Sequence, residues 1–81
     1  MLHFVQEHQF CRELEHIEPI PYRHIHLLEK IESACGKQLR QYHTVGSGFV
    51  VVSWGCRLIV WYETDGAAVY LQSIRFDLRR A

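Results

Sequence analysis

The stretch Arg57-Leu58-Ile59-Val60-Trp61-Tyr62-Glu63-Thr64-Asp65-Gly66-Ala67-Ala68-Val69-Tyr70-Leu71-Gln72 decides the fold. Two runs rich in β-branched and aromatic residues flank Asp65-Gly66. An Asp-Gly pair in that setting is a strong β-hairpin signal, because the tightest turns need residues that tolerate positive φ. With Asp65 and Gly66 as the two loop residues, Thr64 pairs with Ala67, Tyr62 with Val69, Val60 with Leu71 and Leu58 with Ser73. On the other side of the ribbon Trp61 faces Tyr70, Ile59 faces Gln72 and Arg57 faces Ile74.

Working toward the N-terminus, Phe49-Val50-Val51-Val52-Ser53 is a further β-branched run, and Trp54-Gly55 reads as the two-residue turn that joins it to the next. That register sets Val51 beside Leu58 and Phe49 beside Val60. One sheet face then carries Phe49, Val51, Leu58, Val60, Tyr62, Val69 and Leu71, an unbroken apolar surface suited to a core. The other carries Val50, Val52, Ile59, Trp61, Tyr70 and Ile74, mixed with Arg57, Glu63 and Gln72. The strands are expected at about 48–53, 57–63 and 67–78.

The first half has the helical period. Phe4, Phe10, Cys11, Leu14 and Ile17 fall on one arc of a helix over about 4–17. The first residues read equally as a short strand leading into a helix near Glu7. Glu18-Pro19-Ile20-Pro21 makes a corner, and Pro21 suits a first helical turn. Ile25, Leu28, Ile31, Cys35, Leu39 and Tyr42 form a second stripe over about 21–41. The expected fold is α+β: two N-terminal helices packed on one face of a three-stranded antiparallel meander, or a four-stranded one if the first residues are a strand.

At 81 residues this is one domain, and a chain so short buries only about 60% of the surface its unfolded form exposes. Nine Lys+Arg balance nine Asp+Glu, for a formal net charge of zero. That argues against strong non-specific binding to nucleic acid or anionic membrane. Three cysteines, Cys11, Cys35 and Cys56, make an odd set with no CxxC spacing. They read as reduced thiols of a cytoplasmic protein. No signal peptide is visible, and the densest apolar run, Leu58 to Tyr62, is far short of a membrane span.

No catalytic or metal constellation emerges. Of the six histidines, none is spaced i, i+4 from another, the pairing that lets two rings on a helix share an ion. Gly46-Ser47-Gly48 lacks the spacing of a nucleophile elbow and the third glycine and lysine of a phosphate loop. Nothing in the chain sets a histidine beside Cys56. No cofactor or metal is expected.

The segment CRLIVWYETDGAAVYLQSIRFDLRR, residues 56–80, resembles the C-terminal half of the RelE/ParE family of bacterial toxins. The resemblance covers about a third of the chain. It implies a helical hairpin against a curved sheet and, by analogy with the members that cut messenger RNA on the ribosome, a role for Arg57, Tyr70, Arg75 and Arg79.

The open apolar face carries the main functional expectation. Two helices on one side leave the other uncovered, and a patch of aromatics with an arginine has the composition of an interface core. The chain is therefore expected to be a small non-enzymatic interaction module. As a compact inhibitor of phage or mobile-element origin it would bind a host protein, a second copy as a homodimer, or both. Contacts would run through Trp61, Tyr70, Ile59, Val50, Val52, Arg57 and Ile74. The alternative is a RelE/ParE-like toxin or RNA-binding module that sets Arg75, Arg79 and Arg80 against phosphate.

Overall fold

A computed structural model describes residues 2–43 and 45–78. The chain runs β1 (His3–Gln6), α1 (His8–Ile17), a single 3-10 turn (Pro21–Arg23), α2 (His24–Tyr42), β2 (Gly46–Ser53), β3 (Arg57–Thr64) and β4 (Ala68–Phe76). The strands form one sheet in the order β1-β4-β3-β2. β2, β3 and β4 are antiparallel neighbours, but β1 pairs parallel to β4, from His3↔Ala68 to Gln6↔Leu71.

The purely antiparallel meander is thereby corrected: the sheet is mixed and four-stranded. Residues 3–6 are not the first turn of a helix. β4 offers a free backbone edge, and His3 and Glu7 donate their N–H groups to Ala67 and Leu71 across it. Those bonds satisfy main-chain groups that a frayed helix start would leave open.

Both helices pack on one face. Phe10 and Leu14 of α1 and Leu27, Ile31, Cys35 and Leu39 of α2 join Val50, Val52, Leu58, Val60, Tyr62, Val69, Leu71 and Ile74 in a single core. On α2 the inward row starts at Leu27, and Ile25 and Tyr42, both expected inside, are exposed.

Two register differences decide which residues face the helices. The β2–β3 loop has three residues, Trp54 to Cys56, so Ser53 pairs with Arg57 and Val52 with Leu58. One extra loop residue slides β2 by one position and exchanges its faces. Val50 and Val52 therefore point into the core, and Phe49 and Val51 point out. The β3–β4 connection also holds more than Asp65-Gly66, because Thr64 pairs with Val69. Asp65 Oδ1 accepts the N–H groups of Ala67 and Ala68 at 2.9 and 2.8 Å, and Thr64 Oγ1 accepts that of Gly66 at 3.0 Å. These bonds close a wider turn. Further along, the pairing steps from Tyr62↔Leu71 to Trp61↔Ser73, which leaves Gln72 as a bulge. The bulge turns Ile74 inward, where it is fully buried.

Among the described residues no helix is long and apolar enough to cross a membrane.

Candidate functional site

The sheet face turned away from the helices carries Ser47, Phe49, Val51 and Ser53 from β2 and Arg57, Ile59, Trp61 and Glu63 from β3, in direct register. β4 adds Tyr70 opposite Glu63, Ser73 opposite Trp61 and Arg75 opposite Ile59. Phe49 is 46% exposed, Trp61 38% and Val51 37%. Ile59 sits between Val51 and Arg75 in the register and is closed off by its neighbours. A shallow apolar depression runs along this side, lined by Phe49, Ile59, Trp61, Phe76, Asp77 and Leu78.

Of the residues expected to make contact, Trp61, Ile59, Arg57 and Tyr70 share this open face. Val50, Val52 and Ile74 do not: they are core residues, for the register reasons above. Phe49 and Val51 take their place. Val50-Val51-Val52 gives no alternation from which to tell in from out, so the sign of the face hung entirely on loop length.

The edges of the sheet are treated differently from its face. β2 is an outer strand. Arg57 O accepts the N–H of Asp77 on the β4 side, so odd residues of β3 bond toward β4 and even ones toward β2. The outward backbone groups of β2 are then those of Ser47, Phe49, Val51 and Ser53. Two of these carbonyls are capped by α2: Gln38 Nε2 donates to Phe49 O at 2.9 Å, and Lys30 Nζ to Ser53 O at 2.8 Å. On the opposite side, β4 outlasts β1. Beyond Leu71 its free edge is met by Glu13 of α1, whose carboxylate accepts Ser73 Oγ–H at 2.7 Å, Ile74 N–H at 3.1 Å and Arg75 Nε–H at 3.0 Å. Burial alone would raise the Glu13 pKa. The bonds from Ser73 and Ile74 and the charge of Arg75 outweigh it and hold the carboxyl below its ordinary value. Side chains that occupy edge groups oppose strand-to-strand association, while the apolar face has no such cover.

The cations of this face are engaged within the chain. Arg57 lies 3.4 Å from the Asp77 carboxylate, and Arg75 pairs with Glu13. Arg79 and Arg80, the other arginines considered for phosphate contact, lie outside the described residues. A zero net charge makes a poor phosphate track.

A second polar cluster ties the helix corner to the β2–β3 loop. The buried Glu18 carboxylate accepts the Trp54 indole N–H at 3.0 Å, pairs with Arg23 at 3.1 Å and accepts the Ile20 N–H at 3.3 Å. His24 Nε2–H donates to the Glu18 carbonyl. The Arg23 guanidinium lies 5.2 Å from the centre of the Trp54 ring and Lys30 Nζ 5.9 Å, both within cation–π range. Among the described residues no buried side-chain nitrogen or oxygen lacks a hydrogen-bond partner, as expected of a structural latch. Among the described residues no three His, Cys, Asp or Glu side chains cluster to hold a metal ion.

No protein-family model matches the chain, and no curated protein or solved structure matches it either.

Proposed function

We propose that the chain is a protein-interaction module whose open sheet face docks a protein partner, with Trp61 and Phe49 as anchors and Arg57, Glu63 and Tyr70 at the rim. One observation carries this reading: Phe49, Val51 and Trp61 form a contiguous exposed apolar strip, while helix side chains guard the neighbouring sheet edges. Aromatic anchors ringed by polar groups are the usual make-up of an interface centre. In this reading the chain acts as an inhibitor or adaptor, altering a partner by occupying its surface. An origin in a phage or mobile element fits a compact domain of this kind, with a host protein as the target.

A photo-crosslinking residue, p-benzoylphenylalanine, placed at Phe49 in the source cell tests the reading. Position 49 is expected to yield a protein adduct, and position 22 on the opposite, exposed corner (Tyr22) none. Equal labelling from both, or from neither, overturns it. Trp61→Ala should fold and lose about 2 kcal/mol or more of binding. A variant that unfolds instead would make Trp61 a core residue and end the proposal.

A further inference from the structure

We infer that the occupant of this face is a second copy of the chain, packed face to face about a two-fold axis that runs across the strands at the level of Val60. The inference rests on the docking reading above and names its partner.

The charge pattern selects the axis. Along β3 the open face reads Arg57, Ile59, Trp61, Glu63, with a cation at one end, an anion at the other and the apolar pair between. A two-fold axis across the strands reverses strand direction. It lays Ile59 on Trp61 of the second copy and, twice by symmetry, sets the half-exposed Arg57, which also pairs with Asp77 of its own chain, over the partner copy's Glu63, which also accepts a bond from its own Gln72. β2 obeys the same centre. Phe49 falls on Val51 and Ser47 on Ser53, because Val50 is the register partner of Val60. A two-fold axis along β3 would instead set Arg57 against Arg57 and Glu63 against Glu63, an unfavourable arrangement. The third symmetric choice, pairing β2 edge to edge, meets the Gln38 and Lys30 caps. Of these three, the axis across the strands is the one that pairs opposite charges and leaves the capped edges apart.

Net charge and size are consistent with it. At zero net charge two copies approach without mutual repulsion. Strands of four, eight, eight and nine residues present a face of about 450 Å² at ordinary strand spacing and rise. A pair therefore covers about 900 Å², at the low end, among weak and transient interfaces. Two sheets of the same right-handed twist stack in this way in β-sandwiches. The dimer should accordingly be weak and concentration-dependent.

Sedimentation velocity across a dilution series tests the inference, with circular dichroism as the fold control. The full chain should sediment as a dimer at high concentration and dissociate on dilution. Glu63→Arg and Arg57→Glu should each weaken self-association at least tenfold, and an equimolar mixture of the two variants should regain it. Only the reversed two-fold axis sets residue 57 of one copy on residue 63 of the other, so the weakening by each single variant marks it: an axis along β3 already sets like charges together in the wild type. If Arg57→Glu does not fold, Glu63→Arg and Glu63→Gln still decide, the first weakening the dimer more than the second. A chain that is monomeric at every concentration, or a Glu63→Arg variant that dimerises like wild type, overturns the inference. Position-49 adducts to another protein would still support the docking reading in that event.

Discussion

The Glu13 carboxylate accepts the backbone N–H of Ile74 at 3.1 Å, on the side of β4 where β1 has already ended. A helix side chain thus continues the ladder that the short strand begins. Glu13→Ala should leave this buried edge N–H without a partner and release Arg75, at a cost of about 1–3 kcal/mol. Urea midpoints give the cost, and hydrogen exchange at Ile74 localises it. Glu13→Gln keeps an acceptor for the N–H and should fall between the two. Ile74 exchange as slow in the alanine variant as in wild type would show that the carboxylate does not guard this edge.

Tyr62 lies across Gly48, its register partner on β2. A Cβ on residue 48 would sit 2.6 Å from the Tyr62 hydroxyl oxygen and 2.7 Å from Cζ. The ring cannot simply swing away, since Tyr62 is 2% exposed and its hydroxyl accepts a hydrogen bond from Gln38 at 2.8 Å. Gly48→Ala should therefore cost about 1–3 kcal/mol through overpacking, which lowers the melting temperature by several degrees or more in a domain of this size. A thermal melt matching wild type would mean the ring and strand shift apart without penalty.

How much of this was legible in the sequence depended on whether the deciding contact was local. Asp65-Gly66 marked the β3–β4 turn, and the Phe10, Leu14 and Ile31, Cys35, Leu39 rows marked the inner sides of the helices, because each signal lies within a few residues of itself. β1 was ambiguous, since its four residues gain strand character only from Ala68–Leu71, more than sixty positions away. The open face was recognisable as a type of surface, and Ile59, Trp61 and Tyr70 belong to it. Its β2 members were exchanged, because all three central valines are apolar and a single residue, Cys56, separates a two-residue loop from a three-residue one. The Gln72 bulge, which buries Ile74, leaves no pattern in a strand whose residues alternate imperfectly. Glu13 as an edge guard and Glu18 as the centre of a latch depend wholly on tertiary placement.

The three thiols differ in environment and should differ in reactivity. Cys56 is exposed, Cys11 half-buried and Cys35 fully buried. Burial and the nearby Glu32 carboxylate push the Cys35 thiol up to about 12, and only the thiolate attacks a disulfide reagent. At pH 8 the native protein should show one fast thiol, removed by Cys56→Ser, then a slower one from Cys11. Cys35 should react only at the rate of unfolding. A fast thiol surviving in Cys56→Ser/Cys11→Ser would show that the core opens beneath α2 far more often than this packing allows.

The latch around Glu18 should make the fold acid-sensitive. Burial favours the protonated form, but the Trp54 indole, the Ile20 N–H and the charges of Arg23 and His24 together lower the Glu18 pKa from its ordinary 4.5. The unfolded chain therefore binds a proton at a higher pH than the folded one, and stability rises with pH across that interval. The contribution is complete above about pH 5 and fades as pH falls through the folded-state value. Glu13 and Asp65, also lowered, the latter by the Ala68 and Ala67 N–H groups, act in the same direction. Urea midpoints measured from pH 7 to pH 3 should drop in this window, and Glu18→Gln should start lower at pH 7 and fall less steeply. Trp54 emission should shift over the same interval, as its indole N–H loses a charged acceptor. If Glu18→Gln has the same acid slope as wild type, the carboxylate is not ionised in the latch, and the link between helix corner and hairpin must rest on the Arg23–Trp54 stack alone.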